Sequence, residues 1–167
     1  MNQKKGFSLV ELMVVIAIIG IIGAISSLNF ATGLPKYRLK RASRDITSRL
    51  RQARSTAIKT SATVVIQFDT GRHSYTIDSR KYPASGGNTN NALSSYYGSG
   101  LSFDRGNYKS GNAVTFPGER VTFNSRGISP SLGSIYLSNN QGDVNKIAIS
   151  RAGRIRLTRW FGGENWH

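Results

Sequence analysis

Residues 7–28 read FSLVELMVVIAIIGIIGAISSL, an unbroken apolar run in which Glu11 is the one ionisable side chain. As a helix these 22 residues extend about 33 Å at 1.5 Å per residue, close to the ~30 Å hydrocarbon core of a bilayer. A removable secretory signal carries a shorter apolar region of about 7–15 residues, followed by a small-residue cleavage site. The run is therefore read as a retained transmembrane helix, and residues 1–6, MNQKKG, as a short polar leader. Glu11 stands apart from its surroundings. A carboxylate at the centre of a span costs roughly 2.5–3.5 kcal/mol even on gentle scales, so it calls for a partner and points to a function.

Beyond the span, Gly33-Leu34-Pro35 reads as an interruption. Leu39, Ala42, Ile46, Leu50, Ala53 and Ala57 then recur at helical spacing, with Arg41, Arg44, Arg51 and Lys59 roughly opposite. This is an amphipathic helix whose apolar stripe needs a sheet to cover. From residue 62 the period changes to two. Val64, Ile66 and Phe68 alternate with polar neighbours, Asp69-Thr70-Gly71-Arg72 turns the chain, and Tyr75 and Ile77 alternate back. Residues 84–100, ASGGNTNNALSSYYGSG, read as a long surface loop. Short strands are expected near 113–116, 120–124, 133–138, 144–150 and 154–158. The expected fold class is α+β, with a long N-terminal helix, transmembrane then amphipathic, packed on an antiparallel β-sheet head. The expected divisions are leader 1–6, transmembrane helix 7–28, amphipathic helix 29–60 and β-rich head 61–167.

The charge is far from balanced. Lys+Arg 23 against Asp+Glu 8 gives a net +15 and a pI near 10.8, a field that attracts polyanions such as nucleic acid or an anionic membrane surface. With no Cys, a disulfide framework, a thiolate metal site and a Cys nucleophile are all excluded. His73 and His167 are the only histidines, neither stands in a nucleophile or carboxylate arrangement, and the acids are scattered singly. No enzyme activity, cofactor or metal is expected.

The basic excess concentrates near the C-terminus. Arg151, Arg154, Arg156 and Arg159 fall within nine acid-free residues, and Trp160 follows. In an extended strand Arg154 and Arg156 share one face while Ile155 and Leu157 face the core. Arginine forks bond phosphates, and exposed aromatics stack on bases. The same residues also suit an edge strand protected by charge, with Trp160 closing the core.

GFSLVELMVVIAIIG, residues 6–20, resembles the class III signal of type IV pilins and type II secretion pseudopilins. The resemblance implies that a prepilin peptidase cuts between Gly6 and Phe7 and that Phe7 is then N-methylated. It also gives Glu11 its partner, the terminal amine of a neighbouring subunit during assembly. FNSRGISPSLGSIYLSNNQGDVNKIAISRAGRIRL, residues 123–157, resembles the C-terminal part of the pseudopilin H and fimbrial T group. In fimbrial T-type minor pilins a Gly-Arg-x-Arg element binds DNA for uptake, and Gly153-Arg154-Ile155-Arg156 matches it. Arg151, Arg159 and Trp160 join that candidate site on charge and proximity alone.

The resemblance thus implies a minor type IV pilin that captures DNA in natural transformation, or alternatively a pseudopilin that initiates or caps a type II secretion filament. Its partners would be other pilin subunits, the peptidase, DNA and the bacterial inner membrane, with the head in the periplasm or on a surface filament. Two features depart from the pattern. Leu28 occupies a place where many pilins carry Pro, and Lys36, Arg38, Lys40, Arg41 and Arg44 outnumber Lys4 and Lys5 across the span, against the positive-inside rule.

Overall fold

The structure, a computed structural model, describes residues 7–79 and 91–160. The chain divides into two compact units, Met1–Leu34 and Pro35–His167. Helix α1, Leu9–Lys59, supplies residues to both and runs through Gly33-Leu34-Pro35 without the expected interruption. Proline removes one N–H and crowds one carbonyl, a local loss that the helix outlasts where its next turns bury Leu39 and Ala42.

In the first unit α1 is apolar on every side, and Leu9, Val10, Leu12, Met13, Ile16 and Ile19 are exposed. Such an all-round apolar helix requires a cover of protein or lipid. Among the described residues, no helix is long and apolar enough to cross a membrane. Residues 9–24, the stretch with described side chains, make about 24 Å of helix at 1.5 Å per residue. Gly6 lies outside the described residues.

In the second unit the helical stripe performs as its period dictates. Leu39, Ala42, Ile46, Leu50, Ala53 and Ala57 are all buried, while Arg41, Arg44, Arg51 and Lys59 are exposed. Two polar residues join the buried face. Ser43 Oγ donates to the Leu39 carbonyl and Thr47 Oγ1 to that of Ser43, each at 2.7 Å, which satisfies hydroxyls that would otherwise be costly to bury. Asn145 Nδ2 then donates to Ser43 Oγ at 2.8 Å, across 102 positions of sequence.

The head is α+β as expected, its antiparallel strands arranged in two four-stranded sheets. The first comprises β1 (Val64–Asp69), β2 (Ser74–Ser79), β3 (Asn91–Ala92) and β5 (Arg120–Phe123), in the order β3-β2-β1-β5. The second comprises β4 (Leu101–Ser102), β6 (Gly133–Asn139), β7 (Val144–Ile149) and β8 (Ile155–Trp160), in the order β4-β6-β7-β8. The expected β1–β2 hairpin forms, and it pairs Val64 with Ser79 and Phe68 with Tyr75. Inward residues of both sheets, Ile66, Phe68, Val121, Phe123, Ile135, Leu137 and Ile147, form one core with the helix stripe. Each such side chain contributes about 1.5–3 kcal/mol on burial.

Two further expectations need correction. Residues 113–116 are not a strand; Val114 alone makes a bridge, to Ile135. Pro117 follows at once and has no N–H for a ladder. Of the expected loop 84–100, residues 84–90 lie outside the described residues. Its later part holds β3 and the short helix α2 (Leu93–Tyr97), whose Leu93 and Tyr97 are buried one turn apart.

Candidate functional site

The candidate site lies around β8 and the turn that leads into it. Among the described residues β8 is an edge strand, paired on one side with β7 from Val144–Trp160 to Ile149–Ile155. Ile155 and Leu157 pack against the core as expected. The turn before β8 closes with Gly153 N donating to the Ser150 carbonyl at 2.9 Å and Ser150 N donating to the Arg154 carbonyl at 3.0 Å.

A second turn, Ser125-Arg126-Gly127, packs against the first. Asn124 Oδ1 accepts from the amides of Arg126 and Ile128, each at 3.0 Å, the local bonding that makes Asn a turn residue. Ser129 N donates to the Arg151 carbonyl at 3.0 Å, which links the two turns. Arg54, on the last turns of α1, donates through Nε to the Gly127 carbonyl at 2.8 Å. Gly127 and Gly153 both have positive φ, 71° and 72°, a backbone region that glycine enters without steric cost.

The structure gives each of the four C-terminal arginines a different setting. Arg154 precedes β8 and meets Arg51 and Arg54 of α1 at a concavity of about 400 Å³, floored by Ala152 and Gly153. Arg156, exposed, sits within β8 opposite Ala148 and alternates with the core-facing Ile155 and Leu157. Arg159 joins Lys36, Tyr37, Lys40, Asp143 and Trp160 around a separate hollow of about 280 Å³. Arg151 is exposed in the turn. Arg154 and Arg156 are thus both open to solvent, yet Arg154 lies outside the strand and has the helix arginines as neighbours.

Trp160 is half-buried and belongs to an aromatic group. Its ring meets Tyr108 edge-on at 5.6 Å, Tyr108 stacks on Tyr136 at 6.0 Å, and the Arg105 guanidinium lies 4.2 Å from the Tyr136 centroid. Arg51, Arg54 and Arg105 are functional candidates that sequence reasoning did not single out. A basic helical face and a loop arginine give no signal until the fold sets them beside β6 and β8.

Electrostatic balance is one-sided here. Among the described residues the ion pairs are Arg49–Asp45 and Arg72–Asp69, both local and both away from the β7–β8 turn. Shifted ionisations likewise gather elsewhere, where α1 meets α2. Burial pushes the Asp45 carboxyl up, but hydrogen bonds from the Tyr97 hydroxyl and Arg49 Nε outweigh it and hold the group below its ordinary value. Burial, reinforced by donation to Asp45, raises Tyr97 well above the usual tyrosine range. Burial pushes Tyr75 up to about 12. The Tyr97–Asp45 bond fastens α2 to α1. His73 Nδ1 accepts from Phe103 N at 3.2 Å, and among the described residues no group of acids and histidines could hold a metal ion.

A helix apolar on all sides at its N-terminal end and amphipathic beyond, packed on antiparallel sheets behind a prepilin-like signal, defines a pilin-like filament subunit, a minor pilin or pseudopilin. The chain belongs to the type II transport protein GspH family, whose model matches residues 42–153. The prokaryotic N-terminal methylation motif matches residues 1–27. No curated protein sequence matches the chain significantly. Among solved structures, the Pseudomonas aeruginosa type IV minor pilin FimU is similar at TM-score 0.53 and 20% identity, over 73% of this chain and 89% of that one. The minor pseudopilin EpsH of the Vibrio cholerae type 2 secretion system is similar at TM-score 0.52 and 13% identity, over 72% of this chain and 95% of that one. At these identities the likeness carries the fold.

Proposed function

We infer that this protein is a minor type IV pilin, anchored in the inner membrane by its N-terminal helix and assembled with other pilins, whose head binds extracellular DNA for uptake. On this reading a prepilin peptidase cuts between Gly6 and Phe7, Phe7 is methylated, and Glu11 neutralises a neighbour's new amine. The carrying observation is the exposure of Arg151, Arg154 and Arg156 on one edge strand and its turn, with no ion pair among the described residues, in a chain of net charge +15. Uncompensated arginines at a surface favour phosphate, and phosphate contacts carry no sequence information directly. Binding is therefore salt-dependent and weakly selective.

The test compares two double variants of equal charge. Arg154→Gln with Arg156→Gln should flatten the log–log salt slope on duplex DNA by about 1.8, two phosphate contacts at about 0.9 each. Arg41→Gln with Arg44→Gln, on the exposed helix face, should change it much less. Equal losses in the two variants would reduce the tail to part of a diffuse field.

A second reading, a type II secretion pseudopilin that initiates or caps the periplasmic filament, is favoured by the family match over residues 42–153. It needs subunit contacts and no DNA. A full-length protein that fails to bind duplex even at low salt would select it.

A further inference from the structure

The Gly-Arg turn before β8 does not stand alone. Arg51 and Arg54, three residues apart and so neighbours on one helix face, close the far side of the 400 Å³ concavity that Arg154 lines. Three guanidinium groups therefore share one hollow whose remaining lining, Ala152, Gly153 and Ile155, carries no acid. Their mutual repulsion is unrelieved by any ion pair among the described residues. Arg54 is half-buried and held through Nε on the Gly127 carbonyl at 2.8 Å. That bond uses one of the five N–H donors of the group and leaves a fork already oriented by the protein.

We propose that this hollow between α1 and the β7–β8 turn is a phosphate seat, in which Arg51 and Arg54 act with Arg154 on a single backbone phosphate of bound DNA. Planar forks suit phosphate oxygens, and a pre-oriented fork loses less freedom when the bond forms. A carboxylate would leave most of three forks and most of the hollow unused. A polymer of phosphates fits better than an isolated ion because Arg126 and Arg151 are exposed on the two linked turns beside the seat, so a strand leaving it meets further cations. This deepens the DNA-uptake reading and rests on it.

The experiment uses the full chain in neutral detergent and a short DNA duplex titrated at several salt concentrations. Arg51→Gln is compared with Arg44→Gln, another exposed arginine of the same helix, outside the hollow. Arg51→Gln should flatten the salt slope by about 0.9, so that the parent's tighter binding shrinks about 3.5-fold relative to the variant between 50 and 200 mM salt. Arg44→Gln should leave the slope at the parental value. Arg51→Lys keeps the charge and loses the fork; it should keep the slope and weaken binding at every salt concentration. Equal slopes for Arg51→Gln and Arg44→Gln overturn the seat while the parent's binding leaves the DNA reading intact. A parent that does not bind the duplex at low salt removes that reading, and the seat with it.

Discussion

The carbonyl oxygen of Gly127 lies 2.0 Å from the point a Cβ on residue 153 would occupy, and Arg54 Nε lies 2.7 Å from the same point. The two turns can meet only because residue 153 has no side chain. The same residue opens the Gly-Arg-x-Arg element, so its glycine is required by packing in addition to any part it plays in binding.

Gly153→Ala should therefore destabilise the head strongly. The positive φ costs an alanine about 1–2 kcal/mol, and displacing the Gly127 turn adds a further ~1–3 kcal/mol. A thermal melt measures the loss. A melting temperature equal to the parent's would mean that the turns separate freely and that the Arg54–Gly127 bond is not a structural tie.

Stability should fall at both ends of the pH range through the Asp45–Tyr97 contact. Asp45 has a depressed folded value, so its contribution is present above the unfolded value of about 3.9 and is lost as pH drops through the lower folded one. Tyr75 and Tyr97 have raised folded values. Their contribution holds up to the ordinary tyrosine value of about 10 and is lost above it, towards about 12 for Tyr75. Tyr97→Phe should flatten the alkaline limb and, by removing a donor to Asp45, weaken the acid limb as well. Denaturant melts across the pH range check both. Unchanged limbs in the variant would place the titrating groups elsewhere.

Glu11→Ala should leave membrane-fraction levels unchanged and lower incorporation into sheared filaments. The carboxylate is unnecessary for an apolar helix to insert and is required only where a neighbour's amine must be neutralised. Equal filament content in parent and variant would remove the assembly role.

The mature chain should begin at Phe7 with a methylated amine. Intact-mass analysis of protein from the native membrane reads this directly. A chain beginning at Met1, or one cut after residue 28, would contradict processing at the prepilin-like signal.

Where one periodicity encodes both local structure and burial, the sequence was sufficient. The stripe from Leu39 to Ala57 predicted a helix and also the residues it buries, and the Val64–Ile77 alternation about a turn predicted the hairpin. Local rules failed where tertiary packing overrides them. Pro35 reads as a break yet lies inside α1, and Leu93 and Tyr97 make a buried helical turn in a stretch whose Ser, Asn and Gly content reads as loop. Two-residue β4 is too short to leave a period. Most of the candidate site was hidden for a different reason. Arg54 and Gly127 are 73 positions apart, and no spacing in the sequence announces that Arg51, Arg54 and Arg154 line one hollow.

The open side of β8 has a consequence for assembly. Among the described residues the outer side of β8 has no pairing strand, and an unpaired strand edge invites a second copy to add on. With Arg156 exposed on that strand and Arg151 and Arg154 exposed on the turn before it, two such edges brought together would repel. Phosphates bound along that edge would cancel the repulsion. Excess short DNA is then expected to make free heads adhere edge to edge, visible as light scattering that rises with DNA and disappears at high salt; clear solutions throughout would show that something other than charge guards the edge.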